Sequence, residues 1–129
     1  PKGLGDTLNQ LPKFSLPIVI TENGIADRKD CLRSQYLLAH LEILAECLEK
    51  NIDIRGYFHW SLLDNFEWIK GFSPRFGLYE VNYKTFERTM RDSAKFYRDI
   101  IVAHRKNSTN GSPSTQILHQ VKEQVKGNE

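Results

Sequence analysis

The sequence predicts an α/β chain organised around one parallel strand–helix–strand unit. Three observations carry that reading. Two short runs, Leu16–Thr21 and Ile54–Trp60, are β-branched, apolar and aromatic without polar alternation, the pattern of strands buried on both faces of a parallel sheet. The residues between them repeat apolar side chains at helical spacing. The unit as a whole spans about 40 residues, enough for a crossover that returns the second strand parallel to the first and right-handed.

Taken in order, residues 1–15 are polar and contain Gly3, Gly5 and Pro12, which reads as a loop or the edge of a preceding element. In the first strand Pro17 is tolerable only near the start, and Asn23-Gly24 ends it with turn chemistry. The helix is expected over Leu32–Lys50, with Leu37, Leu38, Leu41, Leu44, Ala45 and Leu48 as its apolar stripe and Asn51 or Asp53 as its breaker. After the second strand, Ser61–Phe72 is irregular and rich in aromatics and carboxylates. Arg75–Val81 and Phe86–Met90 are two short strands joined by a turn at Asn82–Lys84. Asp92 or Ser93 caps a last helix running to about Arg105, with Phe96, Tyr97, Ile100, Ile101 and His104 on its stripe. Residues 106–129 read as a polar tail. They hold a Ser/Thr/Asn/Gly/Pro linker over Asn107–Thr115 and a weak amphipathic pattern at Ile117, Leu118, Val121 and Val125. Asn107-Ser108-Thr109 and Asn110-Gly111-Ser112 match the glycosylation pattern, which matters only in a secreted protein. A two-stranded parallel sheet cannot cover its own faces and edges, so this piece is expected to need further strands beside it.

Composition excludes several classes of function. The 129 residues are 40% hydrophobic and 26% charged, with a formal net charge of +2. That is too near neutrality for nucleic acid or an anionic membrane to be the main partner. The longest apolar runs are far short of a membrane span. Cys31 and Cys47 make no disulfide framework, and no Cys/His spacing suits zinc. The chain begins Pro1-Lys2 with no signal-peptide pattern, so the expectation is that an amino-terminal part was removed or lies upstream. A cytoplasmic setting is the default expectation.

Chemistry concentrates in two clusters, each directly after a strand: Thr21-Glu22-Asn23-Gly24, and His59-Trp60-Ser61-Leu62-Leu63-Asp64-Asn65-Phe66-Glu67-Trp68. In parallel α/β folds ligands bind at the carboxyl ends of strands, so both clusters point to one rim. A carboxylate placed as Glu22 is serves equally as nucleophile, metal ligand or helix cap. Trp60, Phe66 and Trp68 interleaved with carboxylates suit a pyranose, whose C–H faces stack on aromatic rings and whose hydroxyls take charge-assisted hydrogen bonds. The same aromatics also suit an ordinary core.

Ile20-Thr21-Glu22-Asn23-Gly24, then His59 to Trp68, then Gly71-Phe72 and Arg75-Phe76-Gly77-Leu78 resemble, in order and spacing, the carboxyl-terminal part of glycoside hydrolase family 1, the β-glucosidase and β-galactosidase family. Asp92-Ser93-Ala94-Lys95-Phe96-Tyr97 resembles the start of that family's last helix, so the likeness covers about residues 16–105. The resemblance implies a (β/α)₈ barrel in which the two strands here are the seventh and eighth. It implies Glu22 as catalytic nucleophile, Trp60 as the platform under the sugar, and Glu67 as the carboxylate holding the O4 and O6 hydroxyls. Trp68 is implied as a hydrogen-bond donor near O3, and Phe76 as an aromatic lining of that pocket. It implies a retaining mechanism that uses no metal or organic cofactor, and a small neutral β-glycoside or oligosaccharide as partner. The family's 6-phosphoglycosidases are expected to replace the carboxylate at Glu67 and add a basic cluster. Here Glu67 is an acid, Ser73-Pro74-Arg75 does not resemble that cluster, and a phosphate dianion would be repelled by Glu67.

The sequence also departs from that pattern. The family's acid/base glutamate lies in an Asn-Glu-Pro motif, which is absent here. A complete barrel needs about 250 residues, so the chain resembles the last quarter of one and lacks the amino-terminal part that would complete it. Alone it is expected to be inactive. The alternative is a truncated, non-catalytic product with at most weak carbohydrate binding.

Overall fold

The computed structural model describes residues 1–108, the side chains of 107 and 108 excepted. Asn107 and Ser108, read above as the start of the linker, lie in the last helix; the rest of the linker, the amphipathic tail pattern and the second glycosylation match lie outside the described residues. Along the chain run α1 (Lys2–Gln10), a 3₁₀ turn (Leu11–Phe14), β1 (Ile18–Asn23), α2 (Arg33–Glu49), β2 (Ile54–His59), a 3₁₀ turn (Trp68–Lys70), β3 (Tyr79–Val81), β4 (Arg88–Met90) and α3 (Asp92–Ser108).

The amino-terminal stretch, expected as a loop or an edge, is mostly helical. Glycines cost a helix roughly 1 kcal/mol each relative to alanine, and here packing overrides that cost. Leu4, Leu8 and Leu11 face a shared core with Ile20, Leu44, Cys47 and Ile52. Gly5 is buried, and a Cβ there would sit 3.1 Å from the Ile43 side chain, so the glycine lets α1 lie close on α2.

β1 and β2 pair in parallel, with Ile18 opposite Ile54, Val19 opposite Gly56, Ile20 opposite Tyr57 and Asn23 opposite His59. β1 begins at Ile18 rather than Leu16, because the proline at 17 has no N–H to give and the ladder opens with the Ile18 amide donating to the Asp53 carbonyl (2.8 Å). One face of this ribbon packs on the helices. Tyr57 joins the core around Ile20 to a second core of Leu37, Ala45, Leu78, Ala94, Phe96 and Ile100. The other face is open: Val19 is 49% and Phe58 61% exposed. The expectation of strands covered on both faces therefore fails within this chain.

α2 matches its expected span within a residue at each end. Its end is set by Asn51, which adopts a left-handed conformation (φ 61°). The Ile52 amide reaches the Cys47 carbonyl (3.1 Å) and the Asn51 amide reaches that of Leu48 (2.9 Å), a Schellman closure with Ile52 and Cys47 in one core. Leu48, placed on the stripe by spacing, is exposed.

The two expected later strands are shorter than their runs. β3 and β4 form an antiparallel hairpin pairing Tyr79 with Met90 and Val81 with Arg88. Residues 75–78 instead lie along the 61–64 segment: Ser61 N–H donates to Phe76 O (3.2 Å), Leu78 N–H to Ser61 O (2.9 Å) and Tyr79 N–H to Leu62 O (2.9 Å). Asp27 and Asp30 then fasten the helices. Asp27 accepts the amides of Leu32 (2.7 Å) and Arg33 (3.2 Å) at the start of α2. Asp30 accepts the amide (2.9 Å) and hydroxyl (2.6 Å) of Ser93 at the start of α3. Arg33, wholly buried, pairs with Asp30 and donates to the carbonyls of Asp27 (2.7 Å) and Arg75 (2.8 Å). No closed barrel is present among the described residues, and no described helix is long and apolar enough to cross a membrane.

Candidate active site

Parallel pairing sets the carboxyl ends of β1 and β2 at one edge, so both sequence clusters meet there. The aim of Glu22 follows from the register. From Ile20 to Asn23, β1 advances three residues while β2 advances two, from Tyr57 to His59. The extra residue is a β-bulge, and it shifts the alternation by one. Without it Glu22 would follow Ile20 onto the helix-packed face. With it Asn23 takes that face, its side-chain carbonyl accepting the Tyr57 hydroxyl (2.9 Å), and its neighbour Glu22, which strand alternation sets on the opposite side, is exposed.

The next turn clamps the clusters together. The Trp60 amide donates to the Asn23 carbonyl (3.0 Å). A Cβ on Gly24 would fall 1.7 Å from the Trp60 carbonyl oxygen, so only glycine fits. From Trp60 the chain loops out and back, and the Trp60 indole N–H donates to a Glu67 carboxylate oxygen (3.2 Å). The loop closes by the Glu67 amide on the Gly71 carbonyl (2.7 Å). Gly71 takes φ 58°, ψ −134°, a conformation open essentially to glycine alone.

Of the five residues singled out from sequence, Trp60 and Glu67 touch, and both are half-buried. Glu22 is one residue from Asn23, whose backbone bonds Trp60. Phe76 is half-buried, with its backbone bonded to Ser61. Trp68 stands apart, 84% exposed at the loop tip. Phe66 packs edge-on to Phe72 (centroids 5.4 Å), which packs on Tyr83 (4.4 Å).

Other residues shape the rim without having been singled out as site residues. The Asp64 side chain is fully buried and accepts from both Arg91 guanidinium nitrogens (3.0 Å each), Arg75 (3.3 Å) and the amides of Gly77 (2.9 Å) and Val81 (3.3 Å). Burial pushes its pKa up, but Arg91 and these amides outweigh that and hold it below the usual carboxylate range. Nothing local signals this role, because every partner lies 11 or more residues away. His59 faces Tyr97 (6.4 Å) with neither ring nitrogen in a hydrogen bond of good geometry. Burial drives its pKa down to about 4, and the Arg33 cation adds to this against the opposing pull of nearby backbone at Phe76 and Asn23. Burial likewise raises Tyr57, which stays a neutral donor to Asn23. Among the described residues, no group of three or more His, Cys, Asp or Glu side chains converges as a metal site.

This end of the strands therefore carries the exposed Glu22 at the close of β1 and, after β2, an indole whose N–H orients the Glu67 carboxylate. The family model for glycosyl hydrolase family 1 matches residues 1–106. The chain belongs to glycosyl hydrolase family 1. It is similar to a β-galactosidase of Pyrococcus woesei, 46% identical over 102 residues that make up 78% of this chain and 20% of that protein. It is also similar to the solved β-glycosidase of Pyrococcus horikoshii (TM-score 0.75, 47% identity, 78% of this chain and 24% of that one). A third likeness is the β-glucosidase of Thermotoga maritima in complex with galacto-hydroximolactam (TM-score 0.71, 34% identity, 78% and 26%). This family 1 chain thus spans about a fifth to a quarter of the length of the relatives it matches, and its fold is a partial α/β piece like the corresponding part of those glucosidases.

Proposed function

We propose that this chain supplies the nucleophile and part of the sugar pocket for hydrolysis of O-glycosidic bonds in neutral β-glycosides, with retention of configuration. The observation that carries the proposal is the bulge at the end of β1. With Asn23 on the helix-packed side, strand alternation supports a Glu22 that faces away from the helices, at the strand ends that also carry the Trp60–Glu67 pair. β1 and β2 would be the seventh and eighth strands of the family's barrel, and the open face with Val19 and Phe58 would meet the remaining strands.

In that setting the Glu22 carboxylate attacks the anomeric carbon as the bond to the leaving oxygen breaks, and an acid from outside this chain gives that oxygen its proton. Water, deprotonated by the same group, then displaces Glu22 from the glycosyl-enzyme. The two carboxyl groups of such enzymes stand about 5–5.5 Å apart. Trp60 forms the floor under the ring. Glu67, held by the indole N–H, accepts sugar hydroxyls, with Trp68 as a hydrogen-bond donor near O3 and Phe76 lining the pocket.

The test is turnover of an aryl β-glucoside. The 129-residue chain alone should give none. Adding a family 1 barrel fragment that ends before the equivalent of β1 should give turnover that Glu22→Gln removes while sugar binding persists. Turnover that survives Glu22→Gln would refute the assignment.

A further inference from the structure

We infer that Asp64 is a positioning residue that fixes Glu67 and Trp60 relative to each other, an inference resting on the sugar-contacting reading of that pair. Asp64 lies midway along the loop between them, and chains of contacts run from its buried carboxylate toward both ends. Toward Trp60, it accepts the Gly77 amide, while the carbonyl of the preceding residue, Phe76, accepts the Ser61 amide next to Trp60. The approach is close enough that a Cβ on Gly77 would lie 2.2 Å from the Asp64 nitrogen. Toward Glu67, Asp64 pairs with Arg75, whose guanidinium lies over the Tyr83 ring (4.6 Å). The Tyr83 hydroxyl donates to the Asn65 carbonyl (3.3 Å), and its ring packs on Phe72, which packs on Phe66. Asn65 and Phe66 are the two residues that lead into Glu67. Arg91, held by both carboxylate oxygens and bonded to the Gly77 carbonyl (2.6 Å), ties this assembly to the start of α3. The backbone of residues 61–64 is bonded along 76–79, and the Asn65 side-chain amide donates to the Ser61 hydroxyl (3.0 Å) and the Leu63 carbonyl (3.2 Å); Asp64 is the buried charge that joins these bonds to Arg75 and Arg91 and so helps to set the 3.2 Å bond between Trp60 and Glu67.

The experiment reads the indole N–H resonances of the full 129-residue chain by ¹H–¹⁵N NMR. There are two tryptophans, and Trp68→Phe assigns them. Glu67→Gln removes the charge from the acceptor, so the Trp60 indole proton should move upfield. Asp64→Asn, nearly isosteric, should move it in the same direction, toward the position of the exposed Trp68, and should add nothing further in the Glu67→Gln background. A Trp60 resonance that ignores Asp64→Asn, or an effect of equal size in both backgrounds, would overturn the inference, since a purely structural role adds regardless of Glu67. If circular dichroism shows that Asp64→Asn unfolds the chain, Arg75→Gln decides. It removes one donor from a network that keeps Arg91, and a smaller shift of the same sign supports the inference while no shift ends it. No sugar is present in the measurement, so its outcome is separate from that of the turnover test.

Discussion

His59 makes the stability of this chain depend on pH in a defined window. Its imidazole is held neutral, with a pKa of about 4 against an ordinary 6.5. Between those values the unfolded chain binds a proton that the folded chain refuses. Stability therefore falls as pH drops from about 6.5 to about 4 and is insensitive to this group on either side. The full shift corresponds to a ceiling of about 3 kcal/mol at 1.36 kcal/mol per unit. Because the ring is not sealed from solvent, about 2 kcal/mol is the expected loss. Asp27 and Asp64, whose pKa values are lowered, contribute stability that is lost only below their ordinary value of 3.8, so the two windows separate. The assay is urea unfolding of the chain at micromolar concentration, at pH 7, 6, 5 and 4.5, comparing wild type with His59→Leu. The variant should have a shallower dependence above pH 4.5, keeping the part that comes from His40, whose pKa burial also lowers, and be the more stable protein at pH 5, because a buried imidazole without a good hydrogen-bond partner is replaced by an apolar group. A wild-type midpoint that stays flat from pH 7 to 4.5, or a variant that keeps the same slope, would refute the reasoning.

Other substitutions test other parts of the structure. Gly24→Ala should cost roughly 1–3 kcal/mol by overpacking against the Trp60 carbonyl, and an unchanged urea midpoint would dispose of the close approach. The open face carrying Val19 and Phe58, with unpaired strand edges beside it, should drive self-association at high concentration. Phe58→Lys should shift sedimentation toward monomer, and identical profiles would show that this face is not the contact. In a complemented barrel, the unphosphorylated aryl glucoside should be cleaved faster than its 6-phospho counterpart, because Glu67 repels a dianion. The reverse preference would reject the neutral-substrate reading.

Much of the fold was legible because its signals are local. The apolar stripe over Leu37–Ala45 and the β-branched run at Ile18–Ile20 state their own periodicity, and α2 and β2 fall within a residue of their expected ends. The first helix was missed because Gly3 and Gly5 argue against it locally, while the contact of Gly5 with Ile43 that favours it is tertiary. Strands read at 75–81 and 86–90 shrank because residues 75–78 pair with the loop at 61–64 instead of with each other. Of the site, the clusters holding Glu22, Trp60 and Glu67 stood out after strands and were expected at one rim, but the hydrogen bond between Trp60 and Glu67 was not legible. The bulge that aims Glu22 is a mismatch between two strands and has no signature in either one.

By itself the sequence determined the order of elements from β1 to α3, the parallel unit and the family, since each depends on residues near one another in the chain or on motifs in series. Only the tertiary structure decided which face Asn23 takes at the end of β1, that Trp60 bonds Glu67, and that Asp64 gathers Arg75, Arg91 and the Gly77 amide. Those facts depend on hydrogen bonds between residues from 7 to 34 positions apart, and such pairings exist only once the chain has closed on itself.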